Sequence, residues 1–231
     1  MASTAIVTGA SAGLGLALSR ELVRRGWHVI GLARRADRLE RVRAELGARF
    51  IAVTGDVVEP GDRARLAETA SAAGRLDLLV NNASRLGPSP MPSLDRYPLA
   101  ELEAVYRTNV VAPLAILQST LALLVASGGV VVNIGSDAAI EPYPNWGGYG
   151  SSKAALDQLT AILGAEHPEI PCYTFDPGDM RTEMHQAAFP GADISDRPAP
   201  ETVAPALLRL IDNRPKRGRY TVADFATEAV R

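Results

Sequence analysis

The sequence predicts an α/β fold, a doubly wound and mostly parallel sheet of seven strands with helices on both faces. Three observations carry this expectation. Short β-branched or apolar runs alternate with longer helical patterns from the first residues onward, as successive strand–helix–strand units require. The first run leads directly into a glycine-rich turn and an apolar helix. No internal repeat or linker interrupts the 231 residues, so a single domain over 1–231 is expected.

Taken in order, the expected strands are Thr4 to Thr8, His28 to Leu32, Phe50 to Thr54, Leu76 to Asn81, Val130 to Ile134, Cys172 to Phe175 and Arg219 to Val222. Between the second and third, Leu39, Val42 and Leu46 recur at helical spacing while arginines and glutamates fill the opposite face, which is the pattern of a surface helix. A long apolar helix is expected from about Leu99 to Val125, and another from near Gly148, after a loop containing Pro142 and Pro144. Residues 176–200 hold four prolines and no clear periodicity, so they read as a loop leaving a strand end, a usual place for substrate contacts.

With 47% hydrophobic and 22% charged residues, the chain can bury a full core and carries no bias toward disorder. A net charge of −2 gives no global positive field, so neither nucleic acid nor an anionic membrane is expected as a partner. The start has no secretory pattern, and no later window is expected to reach the roughly 18 uncharged apolar residues of a spanning helix. A soluble, cytoplasmic protein is therefore expected. The single Cys172 cannot form an internal disulfide, and the three histidines are scattered, so no metal site is expected. Asn82-Ala83-Ser84 matches a glycosylation acceptor that would have no compartment to act in.

The turn Thr8-Gly9-Ala10-Ser11-Ala12-Gly13-Leu14-Gly15 follows the first strand and opens a helix. Gly9 permits a tight turn, while Gly13 and Gly15 let the backbone approach a pyrophosphate and let the helix pack on the sheet. The anion would sit on the helix N-terminus, with its free N–H groups and favourable dipole. The spacing is Gly-x-x-x-Gly-x-Gly, not the general dinucleotide fingerprint, and the strand–turn–helix context is what makes it informative. The second strand runs into Ala33-Arg34-Arg35. A carboxylate there would suit a free ribose 2′-hydroxyl, whereas arginine suits a 2′-phosphate, so Arg34, with Arg35 beside it, favours NADP(H) and leaves NAD(H) as the second choice.

Tyr149 and Lys153 stand four apart near a helix start, on one face. A free phenol has a pKa of about 10, and a neighbouring ammonium lowers it by stabilising the phenolate. The spacing alone is common, but of 24 basic residues only Lys153 and Lys216 are lysines. Arginine serves wherever charge alone is needed, so lysine at 153 points to chemistry: its compact ammonium can reach ribose hydroxyls and relay a proton, which arginine cannot. Ser136, just past the fifth strand, could orient a substrate carbonyl. Asn109 is a polar interruption in the long apolar helix.

Together these residues resemble a short-chain dehydrogenase/reductase of the compact, single-domain branch, with a Rossmann-type sheet. The glycine turn, Asp56-Val57, Asn81-Asn82-Ala83, Asn109, Ser136, Tyr149-x-x-x-Lys153 and Pro177-Gly178-x-x-x-Thr182 fall in family order over almost the whole length. The resemblance implies that Asp56 and Val57 contact adenine, that Asn82 and Ala83 line the cofactor cleft, and that Pro177, Gly178 and Thr182 hold the nicotinamide end. It further implies hydride transfer with Tyr149 as acid or base, Ser136 polarising the oxygen, Lys153 binding ribose and lowering the tyrosine pKa, and Asn109 holding a water in the proton relay. Ser84 replaces the glycine usual after Asn-Asn-Ala, and Asp224-Phe225 stands where many members have Asp-Gly-Gly. The second departure weakens the case for a tetramer and leaves a homodimer through the long helix and the Leu156, Leu159, Ile162 and Leu163 face. A non-catalytic NADP(H)-binding redox sensor is the competing reading, but it would not need Ser136, Tyr149 and Lys153 together. An epimerase or dehydratase would need a larger substrate domain. Met180, Met184, His185 and Phe189 suggest a partly apolar pocket for a small-molecule carbonyl or alcohol.

Overall fold

The β-branched and apolar runs form seven strands: β1 (Thr4–Thr8), β2 (His28–Ala33), β3 (Phe50–Thr54), β4 (Leu78–Asn81), β5 (Val130–Ile134), β6 (Cys172–Asp176) and β7 (Gly218–Thr221). The structure, a computed structural model, describes residues 2–225; the ends of the expected domain, residues 1 and 226–231, lie outside the described residues. The strand order is β3-β2-β1-β4-β5-β6-β7. Every pairing is parallel, including that of β7 with β6, so the expected "mostly parallel" sheet is parallel throughout. All strand C-termini therefore lie on one edge, and the order reverses between β1 and β4, which is where ligands bind in open α/β sheets.

The helices are α1 (Gly13–Arg24), α2 (Ala36–Leu46), α3 (Pro60–Ala72), α4 (Leu99–Tyr106), α5 (Ala112–Ser127), α6 (Gly147–Glu166), α7 (Glu183–Ala188) and α8 (Pro200–Asn213). Strand residues alternate between two faces, as the pleat demands. Ala5, Val7, Leu78, Val80, Val130 and Val132 pack with Leu18 and Leu22 of α1, Leu39 and Val42 of α2 and Leu207 of α8. Ile6, Ile30, Leu79 and Val131 pack with Leu66 of α3 and Ile116 and Leu124 of α5.

Three expectations are corrected. The single helix from Leu99 to Val125 is interrupted by a π-helical turn, Arg107–Val111, before α5 carries on to Ser127. Pro113 contributes to this, because it has no N–H to give to the Asn109 carbonyl four residues back. In addition, the 29 residues Leu99–Ser127 do reach the length and apolar composition of a membrane-spanning helix, against the reading of the sequence. Packing accounts for the composition: Ala112, Pro113, Ile116, Leu117, Thr120 and Leu124 are buried as one face of a core helix, while Val111, Leu114 and Val125 remain exposed. The stretch 176–200 is also not all loop, since it contains α7 and ends at the first residue of α8.

Candidate active site

The C-terminal strand edge opens into a cleft of about 530 Å³, within the usual size for a small-molecule site. It is lined by Gly9, Ser11, Gly13 and Leu14 after β1, Arg34 and Arg35 after β2, Asp56 and Val57 after β3, and Asn82 and Ala83 after β4. Ser136 follows from β5, Tyr149 and Lys153 from α6, and Pro177, Gly178 and Thr182 from the segment after β6. Gly15 and Asn109 do not line the cleft; both act from behind it.

Gly9 is left-handed (φ +70), and its N–H donates to the Leu32 carbonyl at 2.8 Å. A Cβ on Gly15 would stand 2.4 Å from the Gly9 carbonyl oxygen and 2.6 Å from Asn82 Nδ2, so only glycine lets α1 pack this closely. The Asn82 amide donates to the Thr8 carbonyl at 2.8 Å, and Thr8 Oγ1 accepts from Asn82 N and Ala83 N, both at 3.0 Å. Asn82 thus braces the glycine turn. The cap of α1 is Ala12, which has no side-chain acceptor, so no side chain caps its first-turn N–H groups. A bare helix start behind a turn of glycines and small side chains fits a dinucleotide pyrophosphate.

At the far end of the cleft from Arg34 and Arg35, Tyr149 is 9% and Lys153 2% exposed. Lys153 Nζ donates to the Ile134 carbonyl at 2.7 Å and lies 5.5 Å from the Tyr149 ring centroid. Ser136 Oγ donates to Asp137 Oδ1 at 3.0 Å and accepts from Ala138 N at 3.2 Å. Burial pushes the Tyr149 phenol up to about 12, with Asp176 and Asp137 adding to the rise while the Ser136 and Ser84 hydroxyls oppose it. The net shift thus runs opposite to the expected lowering, because desolvation of the phenolate dominates. Burial brings Lys153 itself down to about 8, with Asp157 and Asp176 pulling the other way.

Asn109 is 1% exposed and fully paired. Its Oδ1 accepts from Arg85 N at 2.8 Å and Ser84 Oγ at 3.2 Å, and its Nδ2 donates to the Arg85 carbonyl and to Ser152 Oγ, both at 2.9 Å. These four bonds use the whole capacity of an amide, so the side chain ties the segment after β4 to α6 and has no position left for a relay water. Any such role would fall to the Asn109 main chain, whose carbonyl Pro113 leaves without its helical donor.

Gly178 is left-handed (φ +66), and its N–H donates to Asp176 Oδ1 at 2.9 Å. Thr182 caps α7 by accepting from His185 N at 3.2 Å and faces Gly13 across the cleft. Met180, Met184 and His185 line the cleft; Phe189 stands behind, packed on His185 and on Trp146.

The sequence matches the short chain dehydrogenase family model over residues 3–193. The chain belongs to the short-chain dehydrogenase family. It is 36% identical over 188 residues to a serine 3-dehydrogenase of Rhizobium radiobacter, covering 80% of this chain and 74% of that one. It is 33% identical over 199 residues to the sepiapterin reductase of Mus musculus, covering 79% and 76%. Among solved structures, a short chain dehydrogenase from Shigella flexneri complexed with NADP superposes with a TM-score of 0.90 at 27% identity, over 96% of this chain and 97% of that one. An alcohol dehydrogenase from Thermococcus sibiricus complexed with 5-hydroxy-NADP gives 0.86 at 25% identity, over 96% of both.

This dehydrogenase is an oxidoreductase with several site residues that sequence reasoning did not single out. Trp146 meets the Tyr149 ring edge-on at 5.8 Å and walls the cleft with Leu86 and Ala188. Glu183, at the start of α7, pairs with Arg35 at 2.9 Å and with Arg38 at 2.5 Å, joining the segment after β6 to the arginines after β2. No local pattern signals a contact between residues 148 apart in the chain. Arg219 of β7 likewise reaches the site from the last strand.

Proposed function

We propose that this dehydrogenase interconverts a small-molecule carbonyl and its alcohol with NADP(H), NAD(H) being the weaker alternative, and that Tyr149 is the general acid and base. The observation that carries the reading is one cleft with two ends: Tyr149, Lys153 and Ser136 at the buried end, and the glycine turn with Arg34 and Arg35 at the other. Similar structures complexed with NADP and 5-hydroxy-NADP support the choice of cofactor.

Gly9, Ser11, Gly13, Leu14 and Gly15 would hold the pyrophosphate, Asp56 and Val57 the adenine, Asn82 and Ala83 the cleft wall, and Pro177, Gly178 and Thr182 the nicotinamide end. When bound, the nicotinamide supplies or accepts the hydride. The chain's own groups handle the oxygen and the proton. The Ser136 hydroxyl turns from Asp137 to the substrate oxygen and orients it. Tyr149, whose burial holds it at about 12, keeps its proton at neutral pH and donates it to the oxygen during reduction. Lys153, charged below about 8 and 5.5 Å from the phenol ring centroid, would hold the ribose, and its charge favours the phenolate that reduction leaves behind. Leu86, Trp146, Met184 and Ala188 give the substrate a partly apolar wall.

A homodimer in the cytoplasm completes the reading. Exposed Val111 of the π-helical turn, Leu114 and Val125 of α5 and Ile162 of α6 offer the apolar face, which sedimentation at micromolar concentration tests. The reaction itself is tested by following NADPH absorbance across ketones, aldehydes and quinones with wild type and Tyr149→Phe. The variant should still quench Trp146 fluorescence on binding NADPH while losing about 10²-fold or more in turnover. Undiminished turnover would remove Tyr149 from the chemistry.

A further inference from the structure

Arg219 in β7 reaches under the end of β5. Its Nη2 donates to the Ser136 main-chain carbonyl at 2.9 Å and to Asp176 Oδ2 at 2.7 Å, and its Nη1 donates to Asp157 Oδ2 at 2.6 Å. Each partner belongs to a different part of the site. Asp157 stands one helical turn beyond Lys153 on α6 and so shares its face. Asp176 ends β6, and its other oxygen holds the Gly178 turn that begins the nicotinamide-side segment. Gly135 gives the guanidinium its passage: a Cβ there would stand 3.1 Å from Arg219 Nη1 and 2.5 Å from Thr174 Cγ2.

The three side chains are largely withdrawn from water, at 23%, 19% and 9% exposure for Arg219, Asp157 and Asp176. Burying such a triad is costly, and apolar residues of similar volume would serve stability as well, so its value must be sought in what it holds. We propose that Arg219 is a positioning residue of the active site, fixing the Ser136 main chain and holding the Asp157 and Asp176 carboxylates beside the Lys153 ammonium. The proposal rests on the assignment of Ser136, Tyr149 and Lys153 to the reaction.

The charged and titratable groups around Lys153 are Tyr149 and Asp157 on its own helix, Asp176 from β6 and Arg219 from β7; Asp137, after β5, faces Tyr149. Asp157 and Asp176 both raise the Lys153 pKa against the burial that lowers it. While Arg219 is present their charge is shared with its guanidinium. Without it they act on Lys153 in full, and the ammonium holds its proton to higher pH. Removing Asp157 has the opposite sign.

The composition makes the test direct. Lys153 and Lys216 are the only lysines, so protein labelled with ¹³C at the lysine ε carbon gives two NMR resonances, with Lys216 as internal control. Arg219→Gln is expected to raise the Lys153 titration midpoint by about one pH unit, roughly tenfold in proton affinity, and to move the alkaline limb of kcat/KM with it. Asp157→Asn is expected to lower both. A purely structural contact would move neither midpoint. An unchanged Lys153 midpoint in Arg219→Gln, or a shift of the same sign in both variants, overturns the proposal. If Arg219→Gln does not fold, the sign of the shift in Asp157→Asn decides. A wild type that turns over no carbonyl counts against the proposed reaction instead, while the NMR midpoints still report whether Arg219 governs Lys153.

Discussion

Lys153 Nζ donates to the Ile134 carbonyl at 2.7 Å while lying 5.5 Å from the Tyr149 ring centroid, so one buried ammonium joins the end of β5 to the phenol. Burial lowers its pKa to about 8, whereas burial raises the phenol to about 12. In the proposed reduction the phenol must be protonated and the lysine charged. Both hold at neutral pH, and the lysine fails first as pH rises. The kcat/KM for carbonyl reduction is therefore expected to fall above about pH 8, well before Tyr149 ionises. A profile flat to the titration range of the phenol would show that the Lys153 charge is not required.

The same depression makes Lys153 costly to the fold. An unfolded lysine titrates at about 10.4, so between there and about 8 the unfolded chain holds a proton that the native state has released. Stability therefore rises with pH across that window and is lowest below it, where the native state must bury the charge. Lys153→Met should abolish turnover yet be more stable at pH 7 by about 1–3 kcal/mol, allowing for loss of the bond to Ile134. That advantage should shrink toward pH 10. Urea unfolding of both proteins at pH 7 and pH 10 checks it; a variant less stable at pH 7 would mean that the hydrogen bond outweighs desolvation.

Much of this was legible in the sequence because it is local. Strands β1 to β6 are short, largely apolar runs, and Gly9 to Gly15 and Tyr149 to Lys153 are contiguous segments whose spacing is the signal. What escaped is long-range or energetic. Glu183 meets Arg35, and Arg219 meets Asp157 and Ser136, only because a parallel sheet brings all strand ends to one edge. The π-helical turn at Arg107–Val111 depends on the backbone around Pro113, not on apolar periodicity, so the helix reads as continuous. The direction of the Tyr149 shift depended on burial, which spacing does not report.

Asn109 carries a stability prediction that its expected role in a relay would not. Replacing it with Leu removes four hydrogen bonds and leaves the half-buried N–H and carbonyl of Arg85 and the buried Ser152 hydroxyl without their amide partner. Orphaned buried groups cost about 1–3 kcal/mol each, so a loss of about 3 kcal/mol is expected. For a chain of this size that is a Tm lower by about 6–12 °C. A thermal melt unchanged within a degree or two would show that the segment after β4 is held by other contacts.

Glu183 offers a test of how the cofactor's adenosine end is read. In the structure its two oxygens occupy Arg35 and Arg38, so a 2′-phosphate that seeks Arg35 must compete with a carboxylate already there. Glu183→Gln removes the competing charge. Because the pair is well exposed, at 44% for Arg35 and 63% for Glu183, its worth is at most about 1 kcal/mol, and the gain in NADPH affinity should be about two- to fivefold. NADH has no 2′-phosphate and should gain little. The difference should fade at high salt, where exposed charges are screened. Titrating Trp146 fluorescence with each nucleotide at low and high salt separates the outcomes. Equal gains for NADPH and NADH would mean that Glu183 controls access to the cleft and does not compete with a 2′-phosphate for Arg35.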